Sequence, residues 1–214
     1  MSRLLSFVLH KKGGSPSPLP DYLNAEFIES SGEQYIDTGI KPTDKTKIEI
    51  QFQEVGKYGS WPKVFGTEIA HENKSFKLDT SGSGGYMVIY YMNRNFNISR
   101  TSQNTRHTFT LENGAFSFDD YSNTFTYSGD ITSDYNIYLC AANRSNSAIE
   151  HGAMRIYSCK IYEDDTLVGD FEPRFRTSDN TFGLYNKISN TFFENAGTGK
   201  FAGAFPSNLT DGGN

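Results

Sequence analysis

Residues 154–173 read M-R-I-Y-S-C-K-I-Y-E-D-D-T-L-V-G-D-F-E-P. The stretch opens as a run of β-branched and aromatic residues, turns at Glu163-Asp164-Asp165, and resumes as a second apolar run. This pattern predicts a strand, a tight turn and a returning strand. The pairs Ile156-Tyr157 and Ile161-Tyr162 stand five residues apart. Side chains alternate along a strand, so an odd offset sends the two isoleucines to opposite faces. Either both faces are covered, or a bulge between the pairs restores the register. Both alternatives place the strand inside a sandwich.

The rest of the chain supplies material for it. Lys47–Gln53 alternates cleanly, with Ile48, Ile50 and Phe52 on one face and Lys47, Glu49, Gln51 and Gln53 on the other. That is the pattern of a half-buried antiparallel strand. Further strands are predicted at 63–67, 75–78, 86–92, 106–111, 115–118, 124–127, 136–142, 167–171, 181–185 and 191–193, separated by Gly, Asn, Asp and Ser clusters. No window shows helical periodicity. More than ten short strands within 214 residues predict an all-β, two-sheet antiparallel jelly-roll sandwich.

Apolar residues make up 36% of the chain, but 17 Phe and 13 Tyr supply core volume. The net charge is −5 and no Lys/Arg stripe forms, so a nucleic-acid partner is not expected. No apolar run is long enough for a membrane-spanning helix. Cys140 and Cys159 both fall in predicted strands; buried free thiols are the preferred expectation, and a disulfide is the alternative if the two strands are neighbours.

Residues 1–20 differ in character. Arg3–Leu9 is a short apolar run, followed by His10-Lys11-Lys12-Gly13-Gly14 and Ser15-Pro16-Ser17-Pro18-Leu19-Pro20. A secretory signal is disfavoured by the short apolar core and the lysines after it. The preferred reading is an extended docking arm, with Leu4, Leu5, Phe7, Val8 and Leu9 as contacts on a Gly/Pro-rich tether. The layout expected is an arm over 1–20, a sandwich over 21–202 and a loose tail or contact strap over 203–214.

Phe27–Ile40 (F-I-E-S-S-G-E-Q-Y-I-D-T-G-I) resembles the opening of a concanavalin A-like, LamG-like jelly-roll module. Val64-Phe65-Gly66, Arg106-His107-Thr108, Asn136–Asn143, Ile156–Pro173, Gly183-Leu184-Tyr185 and Asn195–Gly199 continue the resemblance in order, over about residues 22–202. It departs at Asn186, where Asp is usual, and at Glu172, where an apolar residue is usual. Such modules occur in phage virion proteins and in surface proteins of gut bacteria. The resemblance implies a fold that hosts glycan binding, hydrolysis or assembly.

Jelly-roll glucanases carry Glu-x-Asp-x-x-Glu on one strand, which aligns a nucleophile and an acid. This chain lacks the motif; Asp170-Phe171-Glu172 offers two acids without the third. The four histidines are scattered, and His107, alternating with Phe109 and Leu111, reads as a core or rim residue. No spacing indicates zinc or calcium, and no cofactor is expected.

A glycan site needs an aromatic surface surrounded by polar groups. Two clusters qualify: Trp61 with Tyr58, and Tyr90 with Tyr91, Asn93, Arg94 and Asn95. Arg144 and His151 are candidates for a neighbouring loop. Core packing is the competing account of the stripe Tyr86, Val88, Tyr90 and Met92.

The expectation is a non-enzymatic phage virion structural protein: a capsid decoration, head-fibre or tail-accessory subunit. It docks to other virion proteins by its arm, forms a homo-oligomer and touches host-surface glycan. The alternative is a lectin-like surface protein of a gut bacterium, located at the cell surface. A glycoside hydrolase ranks third.

Overall fold

The computed structural model describes residues 20–56, 61–69, 74–80, 85–99 and 104–207. The expected docking contacts Leu4, Leu5, Phe7, Val8 and Leu9, and the platform residue Tyr58, lie outside those residues.

The described residues contain nineteen strands. The first four are β1 (Tyr22–Asn24), β2 (Phe27–Glu29), β3 (Ile36–Asp37) and β4 (Thr46–Glu54). Next come β5 (Lys63–Ile69), β6 (Lys74–Thr80), β7 (Tyr86–Met92) and β8 (Arg94–Ser99). The middle of the chain holds β9 (Arg106–Glu112), β10 (Ala115–Phe118), β11 (Tyr121–Thr124), β12 (Tyr138–Leu139), β13 (Ala142–Arg144) and β14 (Ser147–Ile149). It closes with β15 (Met154–Glu163), β16 (Thr166–Arg176), β17 (Thr181–Asn186), β18 (Thr191–Phe193) and β19 (Ala202–Ala204).

The larger sheet runs β11-β10-β9-β4-β15-β16-β17-β18, with β1, β2 and β19 paired alongside. The smaller runs β14-β13-β5-β6-β7-β8, joined by β12 and β3. Pairing is antiparallel throughout, except that β13 lies parallel to β5. Phe65 meets Phe109 and Phe96 meets Phe116 across the gap between the sheets, with ring centroids 6.0 and 5.0 Å apart. The architecture is the expected jelly-roll sandwich.

β15 lies at the centre of the larger sheet, and a bulge resolves its odd offset. Ile156 faces Phe52 on β4, but Ser158 faces Gln51, so Tyr157 is an extra residue. Beyond it the alternation restarts in phase, and Ile156, Cys159 and Ile161 are all fully buried. They extend two rows across three strands: Leu111–Ile48–Ile161 and Phe109–Ile50–Cys159. Tyr157 itself turns to the other face, where its ring lies 5.6 Å from Phe27 and 4.1 Å from the Arg106 guanidinium. Its hydroxyl donates to Gln53 Oε1 at 2.6 Å. Asp164 and Asp165 take φ of +50° and +61° in the two-residue turn between Glu163 and Thr166. Left-handed conformations at both positions match the twist of a tight hairpin, and Asp tolerates them better than most residues.

Three expectations change. The strand expected over 136–142 is two short ones, because the chain reverses at Cys140 (φ +65°). It runs antiparallel to β5 before the reversal and parallel to β5 after it. The strand expected over 124–127 lies earlier, at Tyr121–Thr124. Phe125 and Tyr127 instead pack against the core, partly buried, from irregular chain, with the Tyr127 ring 4.7 Å from that of Tyr91. The domain also extends past residue 202. β19 pairs with β2, and Phe205 packs on Phe175 and Phe182 at 5.3 and 5.6 Å, because those rings need a cover.

Cys140 and Cys159 are free and buried. His107 is a buried histidine, 3% exposed, with Nδ1 2.7 Å from Asp119 Oδ2 and its ring 4.7 Å from that of Phe118.

Candidate functional site

The outer face of the smaller sheet gathers the candidate residues. Along β5, β6 and β7 the alternation sends Phe65, Phe76, Leu78, Ile89 and Tyr91 into the core. It leaves Glu68, Lys77, Asp79 and Tyr90 on the opposite face. The core stripe of β7 is therefore Met87, Ile89 and Tyr91, the opposite parity from the one a packing account of Tyr90 requires. Lys77 stands beside Gly66 on β5, where any Cβ would fall 2.3 Å from the Lys77 Cβ. That absence of a side chain lets Lys77 lie along the sheet.

Two ion networks cover this face. In one, Glu68 accepts from Lys77 Nζ and from Arg144 Nε on β13. Burial pushes the Glu68 carboxyl up, but the bonds and charge of Lys77 and Arg144 outweigh burial and hold it below its usual range. Lys77 Nζ also lies 4.5 Å from the centroid of the Tyr90 ring, a cation–π contact. Burial raises the Tyr90 hydroxyl pKa, helped by the negative charge of Asp79. In the other network, Lys63 Nζ bonds Asp79 Oδ2 at 2.6 Å and Glu150 Oε2 at 2.5 Å. Asp79 is 1% exposed, and its Oδ1 has no partner. Burial pushes Asp79 up to about 6 against the pull of Lys63.

A cleft of about 420 Å³ opens beside the first network. Lys77, Ser75 and Tyr90 line it from the sheet, and Asn93, Arg94 and Asn95 from the β7–β8 hairpin. Tyr91 pairs with Arg94 across the two-residue turn, which holds Met92 at φ +57°. Asn93, Arg94 and Asn95 are exposed, and among the described residues no hydrogen bond or ion pair engages their side chains.

The structure thus brings Tyr90, Asn93 and Arg94 together, and Arg144 joins them through Glu68. Trp61, 39% exposed, lies near the opposite end of β5 and is not part of the cleft. His151 sits elsewhere, in a groove of about 410 Å³, with its ring 5.8 Å from that of Tyr35. Burial lowers its pKa. Tyr91 is fully buried and belongs to the core. Sequence reading missed Glu68, Lys77 and Ser75. The position of Lys77 between Phe76 and Leu78 announces that it faces outward, but its partners arrive from other strands.

Asp170 and Glu172 lie on β16 in the larger sheet. Lys187 Nζ bridges them at 2.8 and 2.6 Å, and Arg174 adds a 2.9 Å contact to Glu172. The Asn186 side-chain oxygen accepts from the backbone N–H of Asp170 and of Ile188, at 3.1 and 3.0 Å. An Asp carboxylate could accept the same two bonds, so Asn at this position leaves the local geometry intact. Among the described residues no group of three His, Cys, Asp or Glu could hold a metal ion. No helix there is long and apolar enough to cross a membrane.

No family model matches the sequence, and no curated protein matches it.

Proposed function

We propose that this chain is a non-enzymatic structural protein of a tailed-phage particle, a capsid decoration, head-fibre or tail-accessory subunit. Residues 1–20 dock it to other virion proteins. The sandwich projects outward and touches host-surface glycan at the cleft beside Tyr90. The observation that carries the binding half is this cleft: an aromatic wall ringed by amide and guanidinium donors that no group among the described residues engages. Such an arrangement suits a polar, ring-shaped ligand.

The sequence resemblance to concanavalin A-like modules supports the virion half. The segments that carry it sit at structural joints rather than at the cleft. Gln34 Oε1 accepts from the Ser31 N–H, and Gln34 Nε2 donates to the Thr198 carbonyl. Thr38 Oγ1 donates to the Ile137 carbonyl at 2.7 Å. These residues build the fold and leave the binding chemistry to other positions. The acid pair supports a non-enzymatic role, because Lys187 contacts both carboxylates that a glycosidase would need free.

Particles assembled with protein beginning at Asp21 test the docking half. The truncated domain is expected to fold and to be missing from purified particles. Its incorporation at normal levels would sink the docking arm. A mature N-terminus cut before Asp21 would favour the bacterial-surface alternative, and glycan turnover abolished by Asp170→Asn would favour a hydrolase.

A further inference from the structure

We infer that the cleft beside Tyr90 selects acidic sugars, with Arg94 holding the sugar carboxylate. The inference rests on the glycan-binding half of the function proposed above and narrows its ligand class.

Partnering decides which groups remain for a ligand. Lys77 and Arg144 are both committed to Glu68, and Lys63 to Asp79 and Glu150. Among the described residues Arg94 is the exception at the cleft: exposed, and with no ion pair or hydrogen bond. Its neighbours Asn93 and Asn95 are likewise open. A guanidinium is a planar fork of donors that fits a carboxylate with two parallel bonds, and the flanking amides suit hydroxyls. A neutral sugar has no group that uses the fork equally well.

Charge points the same way. Among the described residues of the outer face four cations, Lys63, Lys77, Arg94 and Arg144, meet three carboxylates, Glu68, Asp79 and Glu150. The excess of one positive charge stands out on a chain whose net charge is −5. With the other six of these described charges paired, that excess is located on Arg94. Tyr90 supplies an apolar wall whose ring is fixed by Lys77, so a sugar ring gains stacking without ordering a mobile side chain.

Calorimetric titration of the full chain with 3′-sialyllactose, trigalacturonic acid and lactose tests this. Sialyllactose and trigalacturonate present the carboxylate on different sugars, and either one binding at least about tenfold more tightly than lactose supports the inference. The tighter of the two identifies the source. Arg94→Ala should remove that preference, Asn95→Asp should weaken the acidic probes more than it weakens lactose, and high salt should weaken the acidic probes alone. Both positions are exposed, so thermal melts should match the parent protein. Unchanged acidic-sugar binding in Arg94→Ala would overturn the site. Equal binding of lactose and the acidic probes would overturn the acid class and leave the glycan reading standing. If none of the three sugars binds, the inference and the glycan half of the proposed function both fall.

Discussion

The side-chain oxygen of Asn195 accepts a 3.0 Å hydrogen bond from the backbone N–H of Tyr35, a residue 160 positions earlier. The same oxygen takes the Gly197 N–H at 2.8 Å, while the Asn195 amide donates to the carbonyls of Thr198 and Gly199. One side chain thereby shapes the turn after β18 and fastens it to the segment before β3. Gly197 makes the approach feasible, since a Cβ there would lie 2.3 Å from the Glu33 carbonyl oxygen.

Asn195→Ala should destabilise the protein by about 2 kcal/mol, because it leaves the Tyr35 N–H in a partly buried place without an acceptor. Asn195→Asp keeps the acceptor and loses both donated bonds, so it should fall between the two. Chemical denaturation of the three proteins checks the order. Equal midpoints would show that the joint contributes nothing to stability.

Asp79 should make stability depend on pH in a defined window. Burial raises its folded pKa from 3.8 to about 6, so between those values the folded state holds a proton that the unfolded state has released. Its contribution is complete below 3.8 and is lost as pH rises through about 6. The shift corresponds to at most about 3 kcal/mol. Asp79→Asn cannot titrate, so its stability should rise relative to the parent protein as pH goes from 4 to 6.5, then run parallel. Other groups, such as His151, are common to both proteins and cancel in the difference. Parallel curves through the whole range would contradict the assigned titration.

Deleting single residues from β15 should reveal the bulge. Removal of Tyr157 leaves Ile156, Ser158 and Cys159 in ordinary alternation, so the core rows stay in register. The loss is confined to the contacts of Tyr157 with Phe27, Arg106 and Gln53. Removal of Lys160 puts Cys159 and Ile161 side by side and drives Ile161 out of the core. The Tyr157 deletion is therefore expected to be soluble and to melt cooperatively, and the Lys160 deletion to aggregate. Equal behaviour of the two would refute the role given to the bulge.

The two thiols should be inert in the native state. Burial pushes Cys140 up to about 12, and burial with the charges of Asp170 and Glu49 raises Cys159 as well. A thiol reagent such as Ellman's should find neither within minutes under native conditions at neutral pH, and both in guanidinium. Rapid native labelling of either cysteine would show that its pocket opens.

Local pattern explains how much was legible. β4 could be read residue by residue because one of its faces is core and the other is half-exposed, and alternation records that contrast directly. β8 was missed: its exposed Arg94, Asn95 and Asn97 mask the two inward side chains, Phe96 and Ile98. In the segment 124–127 the aromatics signalled burial, which irregular chain supplied as well as a strand would. Among the candidate site residues, Tyr90, Asn93 and Arg94 were legible because they are neighbours on one hairpin. Glu68 and Lys77 were not, since what matters about them is who they pair with.

By itself the sequence determined that the chain is a sandwich of many short strands, that Met154–Glu163 lies within it, and that its offset isoleucines required two covered faces or a bulge. Alternation is a property of single strands, so it survives without knowledge of any partner. Tertiary structure alone chose the bulge at Tyr157, placed Lys187 across Asp170 and Glu172, and separated Trp61 from the cleft. It also left Arg94, among the described residues, the unpaired cation beside Tyr90. Each of those outcomes depends on which strands lie side by side, and pairing between residues far apart in the chain leaves no periodic trace within either segment.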